Sequence, residues 1–334
     1  MKPSKSILLG LIFSGLLSLA NSTLATTNCN ASASDLVFGN ISMGATQNNT
    51  ATVNIECNTF GLSLLATARV RMCLNIDAGV ATNSTVNART MSTASLEQVQ
   101  FQIYRDAGRY QTWSNTVASD VDIDLQYSVP VLGGSGTTSA ILYGQIPAQL
   151  ALATGNHQNS FVGAHTRLDY RYAERLLGTP SWPTSCTSGG NGGGSITFPF
   201  NANATVPASC VIDVVNNLNF GSTPGLISSN QDQTTNFSFT CTKTTPWKVS
   251  LDDGLHAVGA TRHMRLGTTE NYVEYELYRD SGRTLRWGNT PDVDTVNNAG
   301  TGSSQNLTIY GRVPAPQSLP SGSYSDTVTV TITY

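Results

Sequence analysis

Two nearly identical hexapeptides, YRDAGR at residues 104–109 and YRDSGR at 278–283, constrain this chain more than any other feature, because aligning them sets most of it in a twofold repeat. Trp113, Asn115 and Thr116 then answer Trp287, Asn289 and Thr290; LYGQIPA from Leu142 answers IYGRVPA from Ile309; VFG from Val37 answers NFG from Asn219. A chain of 334 residues has room for about two domains, one per copy. Within each copy, short alternating apolar and Thr/Ser/Asn runs are punctuated by Gly, Pro and Asn, with no sustained helical period. The last eight residues, TVTVTITY, send Val328, Val330, Ile332 and Tyr334 to one face, as a half-buried strand requires. The pattern predicts an all-β chain of two immunoglobulin-like sandwiches.

In that setting the hexapeptide reads as hairpin chemistry, with Asp holding the local backbone and Gly taking the positive φ. The glycine-rich stretch TSGGNGGGS, 187–195, reads as a flexible linker and places the domain boundary at 187/188, giving domains 26–187 and 188–334.

The cysteines follow the repeat. Cys29 and Cys57 bracket one Phe-Gly and Cys210 and Cys241 the other, so each pair is assigned as a disulfide within its own copy. Cys73 and Cys186 remain as the third bridge. Disulfides need an oxidising compartment, and the start of the chain agrees. Lys2 and Lys5 precede an apolar run from Ile7 to Ala20 and small residues around Ala25, the pattern of a secretory signal over residues 1–25. The run is short for a membrane span, and the chain is expected to be exported and soluble.

Catalytic material is sparse. His157, His165, His256 and His263 have no metal-ligand spacing with one another or with Cys, and read as surface residues. No Gly-x-Ser-x-Gly elbow occurs. Asp120, Asp122 and Asp124, echoed by Asp292 and Asp294, are a candidate calcium set, but read more simply as a solvated strand edge. Trp113 and Trp287 read as core; Trp182 and Trp247 are the two candidate sugar platforms. The reading is of a non-enzyme with no metal and no cofactor. A net charge of −3 with 12% charged residues offers no basic face for nucleic acid.

The copies differ where the first has grown. Cys57 to Gly79 is 22 positions against 13 from Cys241 to Gly254, and the surplus falls near FGLSLLATA, 60–68. Trp113 to Tyr143 is 30 positions against 23 from Trp287 to Tyr310, and the surplus falls near YSVPVLGG, 127–134. A third connection, AQLALATG at 148–155, gains apolar character without length. Leu62, Leu64, Leu65, Val129, Pro130, Val131, Leu132, Leu150 and Leu152 are therefore the candidate surface-binding residues of a hydrophobic tip on the first domain. The first copy also runs on into another alternating segment, SITFPFNANATV at 195–206, whereas the second copy ends at Tyr334.

A Cys followed by Phe-Gly, a second Cys closing a strand, YRD-x-G, YG-x-[IV]-P and the terminal YSDTVTVTITY together resemble the spore coat protein U domain family, written twice. Within it the chain is similar to the two-domain tip adhesins of archaic, Csu-type chaperone-usher pili. The resemblance implies that the C-terminal sandwich lacks its last strand. The edge at Val328, Val330, Ile332 and Tyr334 is then expected to receive a strand from a periplasmic chaperone, and later from the N-terminal segment of the next pilus subunit at an outer-membrane usher. It further implies a cell-surface location at the pilus tip and attachment to abiotic or host surfaces, with biofilm formation. Segment 195–206 is expected to act in cis on the first domain. A non-adhesive pilus or spore-coat subunit, or a carbohydrate-binding lectin, are the alternatives.

Overall fold

The computed structural model describes residues 25–116, 121–223 and 225–334. The signal segment, apart from Ala25, and Asp120 of the acidic set lie outside the described residues. Among the described residues the chain is built from strands, with one short 3-10 turn at Gly163–His165. It forms two compact units. One comprises the chain up to Gly39, Thr46–Pro147 and His157–Ala204, and the other Asn40–Ala45, Ala148–Asn156 and Thr205–Tyr334.

The strands assigned to the first unit's sheets are β1 (Thr26–Ala33), β2 (Leu36–Asn40), β3 (Gln47–Phe60), β4 (Ala66–Ile76), β5 (Arg89–Ser92), β6 (Gln98–Tyr104), β7 (Val121–Val129), β8 (Gly133–Ile146), β9 (Gly155–Phe161), β10 (Thr166–Ala173), β11 (Gly192–Ile196) and β12 (Phe200–Val206). One sheet runs β1-β3-β8-β6-β5-β9-β12-β2 and the other β11-β10-β4-β7. Trp113 is fully buried and donates its indole N–H to Leu74 O at 2.9 Å. Beside it, buried Arg89 donates to the carbonyls of Asp77, Ile76 and Trp113.

The second unit holds β13 (Cys210–Val215), β14 (Leu226–Ile227), β15 (Gln231–Cys241), β16 (Pro246–Leu251), β17 (Arg262–Leu266), β18 (Tyr272–Tyr278), β19 (Val296–Ala299), β20 (Ser304–Val313), β21 (Gln317–Ser318), β22 (Tyr324–Ser325) and β23 (Val330–Thr333). Its sheets run β13-β15-β20-β18-β17-β22 and β19-β16-β23, with β14 paired to β21. Trp287 and Arg262 repeat the first unit's arrangement, with the indole on Val249 O and the guanidinium on Trp287 O, Leu251 O and Asp252 O. Here the arginine also meets a carboxylate, Glu276, where the first unit has Gln102.

The three disulfides are Cys29–Cys57, Cys73–Cys186 and Cys210–Cys241. Several sequence readings change. The 188–204 stretch, divided from the first domain at 187/188 by composition, clusters with the first unit, and the last of several crossings between the units falls at 204/205. Its glycines form β11 instead of a free linker. They do so because they press on aromatic rings: a Cβ on Gly192 would sit 2.4 Å from the Tyr172 hydroxyl, and one on Gly194 2.8 Å from that of Tyr170. In the hexapeptides the left-handed residues are Arg109 (φ 59°) and Arg283 (φ 56°), not the glycines. The Asp assignment agrees: the Asp106 carboxylate accepts from Tyr110 N and Gln111 N, and Asp280 from Thr284 N and Leu285 N. His157, read as a surface residue, is buried.

Candidate functional site

The first unit's two apolar insertions meet at one end. β3 finishes at Phe60, paired with Thr26 on one side and Gly133 on the other, so the loop 61–65 and the β7–β8 turn at 130–132 leave the sheets together. The Leu65 amide donates to Pro130 O at 2.9 Å, and Ser63 Oγ donates to Val129 O at 2.6 Å. A third segment joins them. After β10 the chain turns through Leu176 and Leu177, where Leu64 N donates to Leu176 O at 2.7 Å and Thr67 N to Gly178 O at 3.1 Å. Phe60, Leu62, Leu64, Leu65, Val131, Leu132, Leu176 and Leu177 are all exposed.

Clustering on this scale is unusual for a solvated surface, where single exposed apolar residues are normal. Backbone conformation adds to it. Leu65 (φ 54°) and Leu132 (φ 67°) sit in the left-handed region, which a branched, non-glycine residue adopts only at a cost. They are also 78% and 71% exposed, so no core packing of their own side chains offsets that cost.

Three residues expected in the tip, Val129, Leu150 and Leu152, are not part of it. Val129 is 1% exposed, because it is the last inward position of β7. Leu152 is 2% exposed; its segment, 148–156, clusters with the second unit, where Lys243 N donates to Leu152 O and Thr154 N to Lys243 O, each at 2.9 Å. Leu150 is exposed in that same segment. Conversely, Phe60, Leu176 and Leu177 complete the tip without having been singled out. Phe60 opens the inserted stretch, whereas Leu176 and Leu177 lie beyond the part of the first copy that can be length-matched to the second.

The tip rests on a strap. From Gly178 to Asn191 the chain passes the outer face of the four-stranded sheet, held by Arg69 on Pro180 O, Arg71 on Pro183 O, Arg171 on Gly189 O and the Cys73–Cys186 disulfide. Arg71 also grips Asp124 with two bonds of 2.8 and 2.9 Å, and that hydrogen-bonded carboxylate raises the guanidinium's pKa. Asp124 is thereby an ion-pair partner, as are Asp292 with Lys248 and Asp294 with Arg286. A metal set formed geometrically by Cys73, Asp122 and Cys186 has no thiolates to offer, because both cysteines are in the disulfide. Trp182 lies under the guanidinium groups of Arg69 and Arg71, 4.9 and 5.7 Å from its ring centroid, and Trp247 is buried in the second core.

Among the described residues the two main sheets of the second unit end in four edge strands, β13 and β22 on one and β19 and β23 on the other. β23 pairs only with β16, and β13 only with β15. Val328, Val330 and Ile332 are partly buried against the core and Tyr334 is exposed, while Val211, Ile212, Val214 and Val215 of β13 are exposed along their length. The regular strand covers Val330–Thr333 and not the whole of 327–334. Thr327 O and Thr329 O are instead taken by the amides of Leu255 and Asp252, and Thr329 N by the Asp252 carboxylate.

A family model for the Spore Coat Protein U domain matches residues 16–163 and again 196–331. Protein U of Myxococcus xanthus is 37% identical over 107 residues, which are 30% of this chain and 59% of that protein, so the match spans less than two thirds of that relative. Among solved structures, the chain is similar to the CsuC–CsuE chaperone–tip adhesion subunit pre-assembly complex from archaic chaperone-usher Csu pili of Acinetobacter baumannii. There the identity is 17% and the TM-score 0.47, covering 92% of this chain and 100% of that one. It is also similar to the CupB6 tip adhesin from Pseudomonas aeruginosa, at 12% identity and TM-score 0.34, covering 92% and 94%. With both copies matched in order by the family model, the chain belongs to the spore coat protein U domain family.

Proposed function

We propose that this chain is the adhesive tip subunit of a chaperone-usher pilus, attaching by contact between the first unit's apolar tip and abiotic or host surfaces. The observation that carries the reading is the convergence of eight exposed large apolar side chains, from three loops, at one end of that unit. Covering them stabilises attachment by on the order of 1 kcal/mol per 40 Å² of apolar surface. One tip binds weakly, and many pili acting together bind firmly. The role is non-enzymatic, and the site is the cell surface.

Assembly is proposed to run through the second unit. A strand donated by a periplasmic chaperone, and then by the next subunit at the outer-membrane usher, would fill the space between the open edges of β13 and β23, pairing its backbone and covering their valines and isoleucine. In the first unit, β11 pairs with β10, which answers to β23, and the chain continues into β12 between β9 and β2, where Phe200, Ala202 and Ala204 are buried and Phe200 stacks on Phe161 at 4.5 Å. A lectin role finds less support, because Trp182 is covered by two guanidinium groups and Trp247 is buried.

The test is retention of cells carrying the pili on hydrophobic and hydrophilic surfaces. Replacing Leu64, Leu65, Val131 and Leu132 with serine should abolish retention on the hydrophobic one while pilus yield is unchanged. Full retention by that variant would exclude the adhesive reading in favour of a structural subunit.

A further inference from the structure

Among the described residues, buried Glu174 is paired with no cation. It follows β10 directly and is 3% exposed. Its Oε2 accepts a long bond from Thr27 Oγ1 at 3.4 Å, and its Oε1 has no hydrogen-bond partner among the described residues. Around it are Thr27 of β1, Tyr127 of β7, Tyr172 of β10 and Asn191, whose Oδ1 accepts the Glu174 backbone N–H; Thr59 of β3 bonds Thr27 and Tyr127, and Tyr170 of β10 interacts with both tyrosines. The titratable groups among these are phenols, and none is a base. An isolated carboxylate in such a place costs several kcal/mol, so burial pushes the Glu174 carboxyl up to about 7.

We infer that Glu174 is the counter-ion of the α-ammonium created at Thr26 when the signal segment is removed, so that processing installs an ion pair at the base of the tip. Hydrolysis of the Ala25–Thr26 bond by a leader peptidase places the hydroxyl of water on the Ala25 carbonyl carbon and returns a hydrogen to the Thr26 nitrogen. The freed amine then takes a proton from solvent.

Three observations support that pairing. First, the next residue, Thr27, is the one that touches Glu174. Second, Tyr172, which interacts with Glu174, bonds both the Thr26 side chain and the Thr27 backbone. Third, the ladder leaves donors to spare. The Cys29 and Cys57 Cα atoms are 4.0 Å apart, the close spacing of a non-hydrogen-bonded pair. Three steps along, Thr26 and Phe60 form a hydrogen-bonded pair. An ammonium carries three N–H donors, so it can keep the ladder bond to Phe60 and still donate to Glu174. Removing buried Ala25, whose Cα would lie 2.7 Å from a Cβ on Gly61, opens the space in which it turns.

This inference rests on cleavage after Ala25 and is independent of the adhesive reading. The exported full-length chain is purified and its N-terminus sequenced, then treated near pH 7 with a limiting amine acylating reagent, the Thr26 α-amine being followed by mass spectrometry. The expected result is an N-terminal Thr26 acylated at least about tenfold more slowly in the native chain than in urea, since pairing raises an amine that ordinarily titrates near 8. Glu174→Gln should remove that protection from the folded chain. The native-against-urea comparison on the unaltered protein stands even if the variant fails to fold. An N-terminus other than Thr26, or equal reactivity of native and unfolded protein, overturns the inference, as does full protection in a folded Glu174→Gln chain.

Discussion

The amide of Leu65 donates to the carbonyl of Pro130, and that 2.9 Å bond joins two insertions that lie far apart in the sequence. Each loop then exposes a left-handed leucine, Leu65 on one and Leu132 on the other. A surface selected only for solubility has no use for such residues, since asparagine adopts the same backbone more easily and is polar.

Replacing both with asparagine should therefore separate stability from attachment. The double variant Leu65→Asn/Leu132→Asn is expected to match the parent in thermal unfolding or exceed it by about 1 kcal/mol, from relief of the left-handed strain. Retention on an alkyl-coated surface should fall severalfold. Calorimetry and surface retention on one preparation check both halves.

Ile332→Asp puts a charge on the partly buried face of β23. A donated strand would have to bury that charge, so co-purification with the chaperone should be lost, while the first unit's thermal transition stays in place. Affinity capture of the chaperone followed by scanning calorimetry tells the two effects apart.

The Cys73–Cys186 bridge closes a loop of 113 residues, which by chain entropy stabilises by about 4–5 kcal/mol. The double variant Cys73→Ser/Cys186→Ser should lower the first unit's unfolding midpoint and open the strap between Gly178 and Asn191 to limited proteolysis. The second unit, which has its own disulfide, should melt unchanged.

Glu174 supplies the pH dependence. Its folded carboxyl stands near 7 because of burial, above the 4.5 of an ordinary glutamate. The folded state therefore holds a proton that the unfolded chain has released, and stability is highest below about pH 4.5 and declines as pH rises to about 7, by at most about 3 kcal/mol. This slope is expected of a chain that retains residues ahead of Thr26, and should vanish in its Glu174→Gln counterpart. In a chain beginning at Thr26 the ammonium pulls the carboxyl down and flattens the slope. Urea titrations at pH 4.5, 6 and 7.5 measure it.

What the sequence made legible was whatever the repeat could index. YRDAGR against YRDSGR set the register, the register placed four of the six cysteines, and the length surplus marked the inserted loops on which Leu62, Leu64, Leu65, Val131 and Leu132 are exposed. Register and length do not by themselves fix burial or tertiary packing. Leu176 and Leu177 belong to a segment with no counterpart, and Val129 and Leu152 were judged by residue type when strand parity and tertiary packing decide their burial. The glycines at 192–194 have the composition of a linker, but their lack of side chains is what admits the backbone beside Tyr170 and Tyr172. Glu174 left no trace in any pattern, because its significance depends on β1, β3, β7 and β10 meeting around it.

By family match, residues from 196 onward open the second copy, yet β12 is laid into the first unit's sheet between β9 and β2. That arrangement has a temporal meaning. A chain synthesised from its N-terminus delivers β1 through β10 early, but the strand that separates β9 from β2 arrives only when the start of the second copy does. The first unit must wait, incomplete, for about thirty more residues after Ala173, and during that wait its open seam is as exposed to chance partners as the edge the second unit keeps.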